Sequence, residues 1–162
     1  MCDPRSRRIR LFGSQSERVL AARISSIVGR EAFLAAPRVA VVSIAREARA
    51  PLSVPIWYAY TAGGEVSLWM EADTPKARAL AVAGCFSLCV HDEVRPYRYV
   101  SVAGPVTSMA PIDWEQELIP LIKRYLSGAE AQTYIASLDG PAGVASNLFV
   151  RMRPQHWRGE QI

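Results

Sequence analysis

The sequence predicts a mainly β, α+β domain: a six-stranded antiparallel barrel with peripheral helices. Three observations carry this. Six short stretches are rich in β-branched and aromatic residues and bounded by Gly, Pro or charged residues. Most of the connections between them are too short for a crossover helix, which favours antiparallel pairing. A chain of 162 residues, 50% hydrophobic and 21% charged, is the size of one domain and can bury a core.

The elements follow in order. Leu20, Ile24, Ile27 and Val28 recur at helical spacing, with Ser16 as a cap and Gly29 as a stop, and a shorter turn covers Glu31 to Leu34. Strands are expected over Arg38–Ala45, Leu52–Tyr60, Glu65–Met70, Phe86–His91, Tyr97–Val106 and Asn147–Arg153. Hairpin turns fall at Arg46–Ala50 and at Thr61-Ala62-Gly63-Gly64. Thr74 reads as an N-cap and Pro75 as the first residue of a short helix between the third and fourth strands. Trp114, Leu118, Leu121, Ile122 and Tyr125 form a helical stripe that Pro120 must kink or restart. A further helical turn covers Glu130–Ser137, and Gly104 marks a bulge or a close backbone approach.

Composition narrows the function. Nineteen basic residues against fifteen acidic give +4, and Lys76 and Lys123 are the only lysines. Four arginines crowd the first ten residues, so residues 1–15 read as a flexible basic arm and 16–162 as the folded domain. The arm carries Phe12 alone and no motif of interleaved aromatic and basic residues, so no nucleic-acid partner is expected. No apolar run reaches the roughly 18 residues that span a bilayer, and no secretory h-region follows the arginines. The expectation is a cytoplasmic protein with no membrane partner.

Cys85 and Cys89 share one face of a strand about 13 Å apart, too far for one ion, and His91 and His156 have no ligand spacing, so no metal site is expected. G-x-S-x-G, the P-loop and G-x-G-x-x-G are all missing. His91, Asp92 and Glu93 read as a solvated strand end, and His156 and Trp157 as anchors for the tail.

One ordered set is more specific: Val54-Pro55-Ile56-Trp57-Tyr58, a turn and strand, Thr74-x-Lys76-x-Arg78 opening a helix, Phe86-Ser87-Leu88-Cys89-Val90, then Pro96-Tyr97-Arg98-Tyr99-Val100-Ser101-Val102-Ala103-Gly104. Over residues 33–155 it resembles the pyridoxamine 5′-phosphate oxidase-like split-barrel superfamily of flavin and deazaflavin oxidoreductases, and most closely its actinobacterial branch. The resemblance implies a dimeric split barrel with a cofactor in a groove between two subunits. It implies that Val54, Pro55, Ile56 and Trp57 face the tricyclic ring, that Met70 and Glu71 end the next strand beside it, and that Thr74, Lys76 and Arg78 hold the phosphate.

The chemistry of that turn stands without the family. A helix N-terminus attracts anions, and a lysine and an arginine in the first turn add charge and, for Arg78, a bidentate grip. Two departures matter. Pro75 stands where relatives often carry a polar residue, and Ala79 where they carry Asn, which weakens an FMN phosphate site. The resemblance and the arginine-rich composition favour coenzyme F-420 slightly over FMN, the poorer phosphate turn adds mildly to that, and the arginine and histidine set of a true pyridoxamine phosphate oxidase is lacking. The expected function is hydride transfer between a bound deazaflavin or flavin and a small organic acceptor. The alternative is a non-catalytic protein that sequesters a cofactor or haem. Trp57, Trp69 and Tyr97 either stack on a ring or pack the core; no residue is identified as the proton donor. Trp57, Trp69, Tyr97 and Tyr99 on short strands give more apolar surface than one small core hides, so a homodimer is expected.

Overall fold

A computed structural model describes Ile24 and residues 26–161; the expected arm over 1–15, Ser16 and Leu20 lie outside the described residues. The strands are β1 Ala40–Arg46, β2 Arg49–Ile56, β3 Tyr58–Ala59, β4 Val66–Glu71, β5 Cys85–His91, β6 Arg98–Pro111, β7 Asn147–Met152 and β8 His156–Gln161. The helices are α1 Ile27–Ala35, α2 Pro75–Ala83, α3 Ile119–Tyr125, α4 Gly128–Ala136 and the short α5 Gly140–Gly143, with a π-helical turn at Trp114–Leu118 leading into α3.

Every strand pairing is antiparallel, in the order β2-β1-β5-β6-β7-β4-β3, with β8 also on β6. Alternation explains the curl: Ala40, Val42 and Ile44 of β1, Phe86, Leu88 and Val90 of β5, and Val66, Leu68 and Met70 of β4 all enter one core. β6 belongs to both halves. Its first part pairs with β5 and β8, and its last part with β7, after a register shift between Val106 and Ser108. Gly104 sits where these halves press together. A Cβ there would lie 1.9 Å from the Arg153 carbonyl oxygen, so the close approach read from the sequence is real.

Among the described residues there are eight strands, two more than expected. The stretch expected over Leu52–Tyr60 breaks at Trp57, and its two parts lie at opposite ends of the sheet path. One residue thus closes the curl around a corner. The second addition is β8, whose sequence His-Trp-Arg-Gly-Glu-Gln carries no apolar alternation. Backbone pairing to Arg98–Ala103 makes it a strand, and His156 and Trp157 open it. The N-terminal helix also differs: Ser26 caps it through the Gly29 amide, Gly29 lies inside it, and Glu31–Leu34 continue the same helix. Pro120 does restart the later helix, in the first turn of α3 after the π turn.

The corner is held by polar groups. The Tyr58 amide donates to the Tyr125 hydroxyl at 3.0 Å, and that hydroxyl lies 2.9 Å from the Tyr58 carbonyl and 3.0 Å from the Arg38 carbonyl, with its proton available to either. The same region caps α1, whose C-terminus has no glycine. Arg38 donates to the Phe33 carbonyl, the Tyr58 hydroxyl to those of Leu34 and Ala36, and Arg124 to that of Ala35. These are the carbonyls a helix leaves unpaired, and cations suit the negative end of its dipole. Burial pushes the Tyr58 phenol up to about 12 and raises that of Tyr125, so both stay protonated donors. Tyr125→Phe should leave the corner groups without a partner and destabilise the fold by about 1–3 kcal/mol, read as a lower urea midpoint; an unchanged midpoint would show that the corner holds without the hydroxyl.

Candidate functional site

A recess of about 340 Å³ opens at the corner, lined by Val39, Pro55, Ile56, Trp57, Trp69 and Tyr134. Alternation along β2 places them: Leu52, Val54 and Ile56 turn toward the core, whereas Pro55 faces outward on a strand with one free edge, where a missing N–H is tolerated. Trp57 stacks on Tyr125 with ring centroids 5.0 Å apart and planes 3° from parallel, and Tyr134 of α4 tilts against it at 5.6 Å. Trp69 points from the outer face of β4 into a second apolar cluster around Leu118 and Ile122. Its indole nitrogen is buried without a hydrogen-bond partner. None of these six lining residues is charged, and Tyr134 is the one with an ionisable side chain.

Pro55, Ile56 and Trp57 thus meet in one recess, as the sequence grouped them. Two others do not join them by side chain. Val54 packs against the core and Met70 is buried in it, because both fall on the inward phase of their strands. For Met70, only the backbone can face a ligand.

The turn after β4 continues from the same strand face. Glu71 is exposed at the end of β4, two residues beyond Trp69 and so about 7 Å further along. Thr74 caps α2 as expected, accepting from the Ala77 amide at 3.2 Å, and its hydroxyl donates to the Glu71 carbonyl at 3.0 Å. With Pro75 lacking an N–H and the Arg78 amide bonded to the Thr74 carbonyl, the Lys76 amide is the first-turn donor left for an anion. Lys76 is half-buried. Burial lowers its pKa, and the neighbouring Glu71 carboxylate partly offsets this. Arg78 is exposed and pairs with Asp73. An exposed pair of this kind contributes about 0–1 kcal/mol, so a phosphate can displace Asp73 from it at little cost. The Thr74 hydroxyl, by contrast, is already engaged at both donor and acceptor.

Elsewhere the structure corrects one reading. Asp92 is not a solvated strand end: 13% exposed, it bridges Arg38 and Arg98, and both guanidiniums lie over the Phe33 ring. Tyr97 stands exposed with the Arg95 guanidinium near its ring, away from the recess. Burial pushes the Cys89 thiol up, which disfavours thiolate chemistry there. Among the described residues no three His, Cys, Asp or Glu side chains converge on a metal position, and no helix is long and apolar enough to cross a membrane.

Val39 and Tyr134 were not singled out from the sequence. Val39 sits at the end of an apolar strand like any core valine. Tyr134 lies in a helix whose sequence signal was weak, and only the docking of α4 beside Trp57 brings it to the recess.

No family model matches the chain, and no curated protein matches it. Solved structures do. An F420 reductase superposes with a TM-score of 0.62 at 21% identity, covering 79% of this chain and 94% of its own. A conserved hypothetical protein from Mycobacterium tuberculosis gives 0.63 at 17% identity, over 97% and 90%. An FAD and haem binding protein from Mycobacterium smegmatis gives 0.60 at 18% identity, over 92% and 72%. At these identities the likeness is one of fold, and among similar folds is also a pyridoxamine 5′-phosphate oxidase-type protein from Listeria innocua. The curled antiparallel sheet closed at Trp57 therefore shares the split-barrel fold of these solved structures.

Proposed function

We propose that this protein is an oxidoreductase that binds a deazaflavin, coenzyme F-420, and passes a hydride between it and a small organic acceptor. The observation that carries the reading is the uncharged recess walled by Trp57, Trp69 and Tyr134, on a line along β4 with a helix N-terminus that carries Lys76. A flat tricyclic ring suits the first and an anionic tail the second. When bound, the cofactor supplies the hydride chemistry. The chain's own part is to bind and orient. The backbone of Val54–Trp57, with Met70 and Glu71 at the end of β4, would hold the ring, and the Lys76 amide and ammonium with Arg78 would hold the tail phosphate. Trp57 and Trp69 exclude water from the reacting face. A proton needed by the acceptor comes from solvent or from the Tyr134 phenol. The fold relative named as an F420 reductase supports the deazaflavin, and the single free amide at α2 weighs against a full FMN phosphate cradle.

A second reading is favoured by the relative named for FAD and haem binding: a protein on the same barrel that holds a cofactor without turnover. Titration with F-420, FMN and haem, followed by single-turnover assay of the complex, separates the two. If none of the three binds below about millimolar, both readings fail.

The proposed assembly is a homodimer through the outward face of β1, β5 and β6. There Ser43, Ser87 and Ala103 are register neighbours in an uncharged row beside a hollow of about 520 Å³. Light scattering should return twice the 17.8 kDa chain mass; a monomer at micromolar concentration would exclude the shared groove.

Lys76→Ala should weaken cofactor affinity roughly 10- to 100-fold, the equivalent of about 1.5–3 kcal/mol for a charge-assisted contact. Arg78→Ala should weaken it too, with non-additive coupling in the double variant. Unaltered affinity in both would remove the turn from the site.

The pH dependence follows from burial. Because Lys76 loses its proton at a lower pH than an ordinary lysine, affinity should be full below that pKa and fall as pH rises through it. Lys76→Arg should bind at alkaline pH without that fall. A wild-type affinity that stays flat up to the ordinary lysine range would contradict the assignment.

A further inference from the structure

The largest groove among those described, about 700 Å³, has no role in the function proposed above. It lies between the outer face of β3, β4 and β7 and the π turn with α3, and it shares no lining residue with the recess at Trp57. Two of its groups lack partners. Ser67 is 8% exposed and faces away from the core between Val66 and Leu68, yet its hydroxyl makes no hydrogen bond among the described residues. Arg124 uses one terminal nitrogen on the Ala35 carbonyl at 2.7 Å; its Nε is buried and unpartnered, and no carboxylate pairs with it among the described residues. Buried polar groups in a folded protein are normally satisfied, so the Arg124 Nε is an exception, and the Ser67 hydroxyl opens on the same groove; a guanidinium without a counter-charge and an uncommitted hydroxyl on one groove suit an anionic acceptor. The π turn, which brings Glu117 to the same groove, is a distortion of the kind that recurs at functional sites.

We infer that this groove is a second binding site, for a singly charged carboxylate on a compact apolar body, with the carboxylate directed to Ser67 and Arg124. Charge selects the class. Arg151 is already neutralised by Glu117, and Glu65 stands on the lining without an ion pair among the described residues. A dianion would meet two glutamates there, whereas one carboxylate matches Arg124, the one of the two arginines lining the groove that has no carboxylate partner among the described residues. Leu121 and Phe149, both buried, supply the apolar wall.

The test uses benzoate as the probe on the full chain, read by calorimetry, with inorganic phosphate and benzyl alcohol as comparisons. Benzoate should bind saturably, and both comparisons should bind at least tenfold more weakly. Ser67→Ala should weaken benzoate about tenfold, the loss of one hydrogen bond to a charged group. It should leave the melting temperature unchanged or higher, since no protein partner is lost. This variant decides, because Arg124 also caps α1 and its replacement can perturb the fold. Saturating benzoate should not displace F-420 or FMN. Absence of saturable benzoate binding, equal affinity in Ser67→Ala, phosphate binding as tight as benzoate, or displacement of the cofactor would each overturn the inference.

Discussion

Everything in this barrel depends on one backbone corner being hydrogen-bonded. At Trp57 the chain leaves one end of the sheet path and enters the other, so the backbone between Ile56, paired with Ala40, and Tyr58, paired with Leu68, needs a hydrogen-bond partner from outside the sheet. A single phenol from α3 supplies it: the Tyr125 hydroxyl takes the Tyr58 amide and reaches the Tyr58 and Arg38 carbonyls. Stacking of Tyr125 on Trp57 fixes both rings and sets one wall of the recess. The corner that closes the fold and the recess that carries the proposed chemistry are made by the same side chains. This coupling makes the recess a rigid feature, since its walls cannot relax without opening the barrel.

The same polar node reaches the N-terminal helix. The last carbonyls of α1 are met by Arg38, Tyr58 and Arg124, side chains from β1's approach, β3 and α3. Helix, sheet corner and α3 therefore share donors, so a change at one element is felt at the other two. The arginine-heavy composition has a structural use here. A guanidinium can serve a carbonyl and lie over a ring at once, as Arg38 does at Phe33 and Arg124 near Tyr58.

The strands with alternating apolar residues and the Thr74-Pro75 cap were legible in the sequence, because each rests on local pattern. So was the grouping of Pro55, Ile56 and Trp57. What was not legible depended on tertiary placement. β8 is a strand only because β6 offers it an edge. The break at Trp57 looks like continuous strand until the two halves are seen to pair with different neighbours. Asp92 carries the sequence signature of a turn, and only the folding of Arg38 toward Arg98 makes it a bridge. Tyr134 reaches the recess through the docking of α4, which no local spacing encodes.

The position of β7 has a consequence for how the chain is made. β7 lies in the middle of the sheet, between β6 and β4, although it follows nearly all other elements in sequence. Until Asn147–Met152 emerges during synthesis, β4 with β3 has no hydrogen-bonded neighbour in the rest of the sheet, and two long strand edges stand open. A stalled or prematurely terminated chain would therefore be two sticky half-sheets, each a template for another nascent copy. The vulnerable interval is the passage of the α3–α5 segment through the ribosome, when both edges are exposed and the strand that covers them has yet to appear.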